Sequence, residues 1–231
     1  MLNYLSILLG KFIINFSQRL NLGSGSTWPG HIALGLNPNF IKDILALHPK
    51  GVKLKVIIIA GTNGKTTTGR LITSIIRENK KTYLQNKAGS NLINGLASTL
   101  IKGINLFSLP RPGLGRLNCN YLIFECDENA LPQVIAQTNP DYVICLNLFR
   151  DQLDRYGEID SVARKWKDSF EKLTDATTLI LNSDDPQIAN LSTNTPAKSL
   201  FFGLQKSNNQ TDTKHGADST HCPNCSAKLK Y

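Results

Sequence analysis

Apolar positions divide the chain into a helical start followed by alternating strands and helices. Leu2, Leu5, Leu9, Phe12, Ile13, Phe16 and Leu20 recur at helical spacing and predict an amphipathic amino-terminal helix. Its apolar face either packs on the rest of the domain, which is the plainer reading, or touches a lipid surface. Gly23-Ser24-Gly25-Ser26 reads as a flexible piece, Trp28-Pro29-Gly30 follows, and a short helical segment is expected near residues 40–47. From Leu54 to Ala60 the chain is continuously apolar and rich in β-branched residues, as in a strand buried on both faces. A helix is expected to run on to about Arg77, with Leu71, Ile72, Ile75 and Ile76 on one face.

The alternation continues with strands at 121–124, 142–146, 178–181 and 199–202. Helices are expected at 131–138, at 160–173 (with Val162, Trp166, Phe170 and Leu173 inward) and, as a short piece, at 184–190. Strand–helix alternation of this kind predicts an α/β fold, a mostly parallel sheet with helices on both faces. From Gln205 to Thr220 the chain turns polar and reads as a linker. The expected organisation is a helix and lead-in over 1–45, an α/β domain over 46–204, and a linker ending in a CxxC over 205–231.

Composition narrows the partners. Hydrophobic residues at 41% and charged residues at 19% support a packed core and exclude wholesale disorder. Lys+Arg 26 against Asp+Glu 17 gives +9, which favours nucleotide phosphates, nucleic acid or a lipid surface without choosing among them. No interleaved aromatic–basic stripe supports nucleic acid. Five cysteines are too few for a disulfide scaffold in 231 residues, and Cys119, Cys126 and Cys145 read as small buried thiols. No apolar run approaches the roughly 20 residues of a membrane span, and the amino terminus lacks the basic region and cleavage site of a signal peptide.

The strongest local signal is Gly61-Thr62-Asn63-Gly64-Lys65-Thr66-Thr67, between a buried strand and a helix. Glycines let backbone N–H groups turn toward phosphate oxygens, and the helix N-terminus adds partial positive charge. Lys65 supplies a compact cation, Thr66 a hydroxyl for Mg²⁺, and Thr67 a second hydroxyl. One departure stands out: the general pattern has a glycine where this chain has Ile59 or Ala60.

Ligands in parallel sheets sit beyond the carboxyl ends of strands. Glu125-Cys126-Asp127-Glu128 follows one predicted strand and suits a hard, oxygen-ligated Mg²⁺, or else forms a solvated acidic loop. Asn147 to Arg155 follows a second strand and either faces the same crevice or forms a helix cap with salt bridges. Asn182 follows a third: either it reads a base edge or a ribose, or the segment serves only to cap the next helix through Ser183 or Asp184.

GTNGKTT, Glu125 at a strand end, the NxxxDxLD string at 147–154 and NxDDP at 182–186 together resemble the Mur ligase superfamily of ATP-dependent carboxylate–amine ligases. TWPGHIAL, GSNLINGLASTL, FECDENALP, NLFRDQLDRYGE and CPNC are similar to its MurT-type branch. The resemblance runs from about Leu20 to Lys228. It implies the superfamily's central ATP-binding domain over 46–204, with ATP and Mg²⁺ as cofactors. It also implies activation of a carboxylate as an acyl phosphate and attack by ammonia from a GatD-type glutaminase partner. The acceptor would be the D-glutamate α-carboxylate of the lipid II stem peptide, and the location cytoplasmic, at the inner membrane surface through the substrate. Lys65 and Glu125 would be catalytic, Thr66 and Glu125 would hold Mg²⁺, and Gly61, Thr62, Asn63, Gly64, Lys65, Thr66, Thr67 and Asn182 would bind the nucleotide.

Two departures weaken a second-metal site, and with it a reading as an amino-acid-adding ligase or folylpolyglutamate synthase. Gln152 stands where many relatives have His, and Trp166 stands where several carry a carbamoylated Lys. Cys222 and Cys225 have zinc-knuckle spacing, but four ligands are usual. The resemblance implies half of a structural Zn²⁺ ribbon, a central domain incomplete at its carboxyl end, and a ligase domain beyond it.

Overall fold

The computed structural model describes residues 2–19, 27–48, 54–86, 89–105, 116–149, 158–204, 222–225 and 227–228. Among them, six parallel strands form one sheet: β1 (Lys55–Ala60), β2 (Tyr83–Gln85), β5 (Tyr121–Cys126), β6 (Tyr142–Cys145), β7 (Thr178–Asn182) and β8 (Lys198–Phe202). Their spatial order is β2-β5-β1-β6-β7-β8. Two-residue strands β3 (Ile104–Asn105) and β4 (Arg116–Leu117) pair antiparallel beside it. The helices are α1 (Leu2–Arg19), α2 (Trp28–Leu36), α3 (Phe40–Ala46), α4 (Lys65–Glu78), α5 (Ile93–Gly103), α6 (Leu131–Thr138), α7 (Glu158–Phe170) and α8 (Pro186–Asn190).

The strand order reverses around β1. The chain leaves β1 toward β2 and β5 on one side, then passes to β6 on the other. Such a switch point opens a crevice at the carboxyl ends of the flanking strands. The alternation of side chains explains why β1 reads as an unbroken apolar run. Val56, Ile58 and Ala60 join Leu122, Phe124, Val143 and Cys145 in the larger apolar cluster, while Ile57 and Ile59 join Ile123, Ile144 and Ile76 in the smaller. Both faces are covered, so every position is apolar. Burying each Val, Ile, Leu or Phe side chain among them contributes about 1.5–3 kcal/mol.

The strongly patterned elements lie close to their expected positions, with three instructive differences along the chain. β5 continues to Cys126, so Glu125 is a strand residue rather than the start of a loop. β2 and α5 carry no strong sequence signal: β2 is three half-buried residues, and α5 interleaves Gly, Ala, Ser and Thr with its buried Leu96, Leu100 and Ile101. α2 was also not expected. It packs so closely on α5 that a Cβ on Gly30 would sit 1.8 Å from the Asn94 carbonyl oxygen, and the Gly30 N–H donates to Ser98 Oγ at 2.8 Å.

The amino-terminal helix forms as expected but faces the opposite way from the plainer reading. Its buried residues are Ser6, Ile7 and Gly10, whereas Leu2, Leu5, Leu9, Phe12 and Phe16 are exposed. Close approach decides this orientation. A Cβ on Gly10 would lie 2.9 Å from Ile101 Cγ2, so the small face is the one that fits against α5 and α2. Leu20, the last residue of the expected stripe, lies outside the described residues.

Candidate functional site

The site is built at the reversal, where β1 ends and α4 begins. Gly61 has φ 143° and Gly64 has φ 86°, both in the region that favours glycine. Gly61 is also crowded: a Cβ there would sit 3.0 Å from the backbone N and O of Asn147. Gly64 is the N-cap of α4, and no side chain caps that helix. Its first amides and dipole therefore face the loop, an arrangement suited to an anion. Thr67 is exposed on the first turn. Ile59 and Ala60, where the general pattern has its extra glycine, are buried strand residues, so the glycine loop begins only at Gly61.

The loop is braced from β6. The Asn63 N–H donates to Asn147 Oδ1 at 2.8 Å, and Asn147 Nδ2 donates back to the Asn63 carbonyl at 3.2 Å. The Thr62 N–H donates to the Asn147 carbonyl at 3.0 Å, and the Phe149 N–H to Thr62 Oγ1 at 3.0 Å. Thr62 and Asn63 thus spend these donors on the brace. Asn147 faces the crevice, as a residue after a buried strand should. From residue 150 on, the string, including Asp151, Gln152 and Asp154, lies outside the described residues.

Lys65, Thr66 and Glu125 meet at the mouth of the loop. Lys65 Nζ donates to the Gly61 carbonyl and, at 3.1 Å, to the Thr62 carbonyl, and lies 4.0 Å from Glu128 Oε2. Thr66 Oγ1 donates to Glu125 Oε2 at 2.6 Å. Glu125 is only 4% exposed, and its second oxygen accepts from Gln85 Nε2 at 2.9 Å. Asn86 clamps its backbone, accepting the Glu125 N–H at 2.8 Å and donating to the Glu125 carbonyl at 2.8 Å. A buried carboxylate is retained when such partners satisfy it. A hydroxyl and a carboxylate side by side are the hard oxygen donors that Mg²⁺ takes, so these residues fit that ion.

The other two acidic residues of the cluster separate. Asp127 Oδ1 accepts the Asn129 N–H at 3.0 Å and closes a turn, whereas Glu128 turns toward Lys65. Trp166 is fully buried, and its indole N–H donates to the Glu128 carbonyl at 2.7 Å. The residue that departs from the resemblance therefore pins the acidic turn. Gln85 and Asn86 were missed from the sequence; their signal was a polar pair straddling the end of a short strand.

Asn182 ends β7 and ties strands together: its Nδ2 donates to the Leu146 carbonyl at 2.8 Å and its Oδ1 accepts the Asp184 N–H at 3.0 Å. The α8 cap is neither Ser183 nor Asp184 but Asp185, which accepts from the N–H groups of Gln187 and Ile188. Its other oxygen takes the Leu148 N–H at 2.8 Å. Cys119, Cys126 and Cys145 are buried as expected, and burial raises each thiol, Cys119 to about 11.

The Zn²⁺ expectation finds no support. Cys222 and Cys225 stand together, with backbone N–H groups of Cys225 and Asn224 lowering the Cys222 thiol pKa. No group of three or more His, Cys, Asp or Glu that could hold a metal occurs among the described residues. Two thiols are half of a tetrahedral set.

A buried strand, a glycine loop and an uncapped helix at the switch point of a parallel sheet define a P-loop α/β protein. Residues 59–228 match the Mur ligase middle domain, and the chain belongs to that family. It is 33% identical to the lipid II isoglutaminyl synthase (glutamine-hydrolyzing) subunit MurT of Streptococcus pneumoniae over 91% of this chain and 43% of that protein. The MurT subunit of Staphylococcus aureus is 28% identical over 90% of this chain, and again 43% of its own length is covered. The chain thus spans less than half the length of these curated relatives. MurF from Acinetobacter baumannii shares the fold, with TM-score 0.55 and 20% identity over 74% of this chain and 35% of that one.

Proposed function

We propose that this chain is the nucleotide-binding part of an ATP-dependent ligase that amidates the D-glutamate α-carboxylate of the lipid II stem peptide, giving D-isoglutamine. The observation that carries the ATP-dependent step is the meeting of Lys65, Thr66 and Glu125 at the glycine loop. The acceptor is inferred from the MurT relatives, which are named as lipid II isoglutaminyl synthase subunits.

Bound ATP supplies the phosphoryl group that activates the carboxylate, with Mg²⁺ offsetting its charge. The loop and the start of α4 orient the phosphates, and Lys65 adds a point charge. Thr66 and Glu125 would hold the metal ion, while Gln85 and Asn86 keep the Glu125 carboxylate aimed. Asn147 fixes the loop's shape, so little reorganisation is needed when charge moves. Asn182 steadies the strand ends beside the nucleoside. The acyl phosphate then reacts with ammonia from a GatD-type glutaminase; the C–N bond forms and phosphate leaves. The location is cytoplasmic.

The test is amidation of lipid II by the full-length protein with its glutaminase, glutamine, ATP and Mg²⁺. Glutamine-dependent exchange of one carboxyl hydroxyl for an amino group, with matching phosphate release, is expected. Phosphate release only with an added amino acid would favour another Mur-type ligase instead. A UDP-N-acetylmuramate–L-alanine ligase of Buchnera aphidicola, 31% identical over 66% of this chain, motivates that second reading.

A further inference from the structure

We propose that the outward stripe of α1 is a lipid-contact surface that lays the protein along an anionic bilayer. Leu2, Leu5, Leu9, Phe12 and Phe16 form the stripe; Phe12 is 66% and Phe16 52% exposed, and their rings stack 6.0 Å apart. Trp28, on neighbouring α2, is 69% exposed. The helix does not turn this stripe inward, because its other face is held. Ile7 is fully buried, Gly10 abuts Ile101 and Pro29, and Asn3 Nδ2 donates to Asp43 Oδ2 at 3.1 Å.

Charge selects the occupant. None of the chain's 17 acidic residues precedes Asp43, whereas Lys11 and Arg19 lie on α1 itself and Lys42 follows. Asp43 is engaged by both Asn3 and Asn37. Apolar and aromatic side chains on a helix whose own charges are all cations match an anionic headgroup layer, into which such a helix sinks one face. Eighteen residues give a helix of about 27 Å lying in the plane. Among the described residues no helix is long and apolar enough to cross a membrane.

The measurement needs neither acceptor nor nucleotide, so its outcome is separate from that of the amidation assay. The full-length protein is sedimented with vesicles of phosphatidylglycerol and phosphatidylcholine, and with phosphatidylcholine alone. Binding is expected to the anionic vesicles and to weaken with salt. Phe12→Glu/Phe16→Glu should lower the partition coefficient by about tenfold or more, with an unchanged circular-dichroism melt. Asn15→Glu/Gln18→Glu changes two exposed polar positions, keeps every apolar side chain, and should weaken binding to the anionic vesicles. Failure of the wild type to sediment, equal binding by the variants, or a stripe-dependent dimer that ignores vesicles would each overturn the proposal.

Discussion

Lysine–carboxylate pairs stand at opposite ends of the same sheet, and they differ in how far they are committed. At the amino edge, Lys55 opens β1 and bonds directly to Asp141, whose other oxygen accepts the Val56 N–H at 2.9 Å. The Tyr142 ring lies 5.7 Å from the same ammonium. At the carboxyl edge, Lys65 keeps 4.0 Å from Glu128 and donates to loop carbonyls instead. The first pair locks two neighbouring strands. The second leaves a cation loosely paired beside a helix N-terminus, where an anionic ligand can take it up at small cost. Direct bonding to a carboxylate, rather than charge itself, separates structural lysine from binding lysine.

The largest expected effect tests that distinction directly. Lys65→Ala should lower ATP-dependent amidation by the intact enzyme by roughly 10²–10³-fold, read as kcat with its glutaminase present. Lys55→Met should leave that rate unchanged; a comparable loss there would break the comparison. Gly61→Ala comes next. Its positive φ and the nearby Asn147 backbone make a side chain cost about 1–3 kcal/mol, measured by urea unfolding. Trp166→Phe keeps the ring in the core and removes the N–H that holds the Glu128 carbonyl. A loss of about 1 kcal/mol in urea unfolding is expected, sharpening how firmly the acidic turn near Lys65 is held.

The smallest effect is at the amino edge, where Lys55→Met should cost at most about 1 kcal/mol. The bond to Asp141 is the main cause that raises the Lys55 pKa above the ordinary lysine value. Its stabilisation is therefore complete below that ordinary value and fades as pH climbs through the raised one. Urea midpoints of wild type and Lys55→Met should converge at strongly alkaline pH. A gap that widens instead would mean the pair is not what Lys55 contributes.

Legibility along the chain followed the locality of the signal. β1, the glycine loop and α4 are contiguous, and each carries its own periodicity or turn chemistry, so they were readable together. α6 was readable to the residue, because Leu131, Val134, Ile135 and Thr138 mark one buried face. β2 and α5 were not, since three half-buried residues and a helix built of small side chains give no strong period. Gln85, Asn86 and Asn147 acquire their roles only from what they face. The brace between Asn63 and Asn147 spans 84 positions, and the bond from Thr66 to Glu125 spans 59.

The alternation of the strongly patterned strands and helices, the parallel sheet and the phosphate-type loop were determined by the sequence alone, because side-chain periodicity and glycine conformation are local properties. Which polar groups converge was decided by tertiary structure: parallel crossovers stack distant strand ends at one edge. The outward turn of α1 was decided there too. Hydrophobicity marks a helix face as apolar, but whether that face packs inward depends on steric fit, and at Gly10 the smaller face fits.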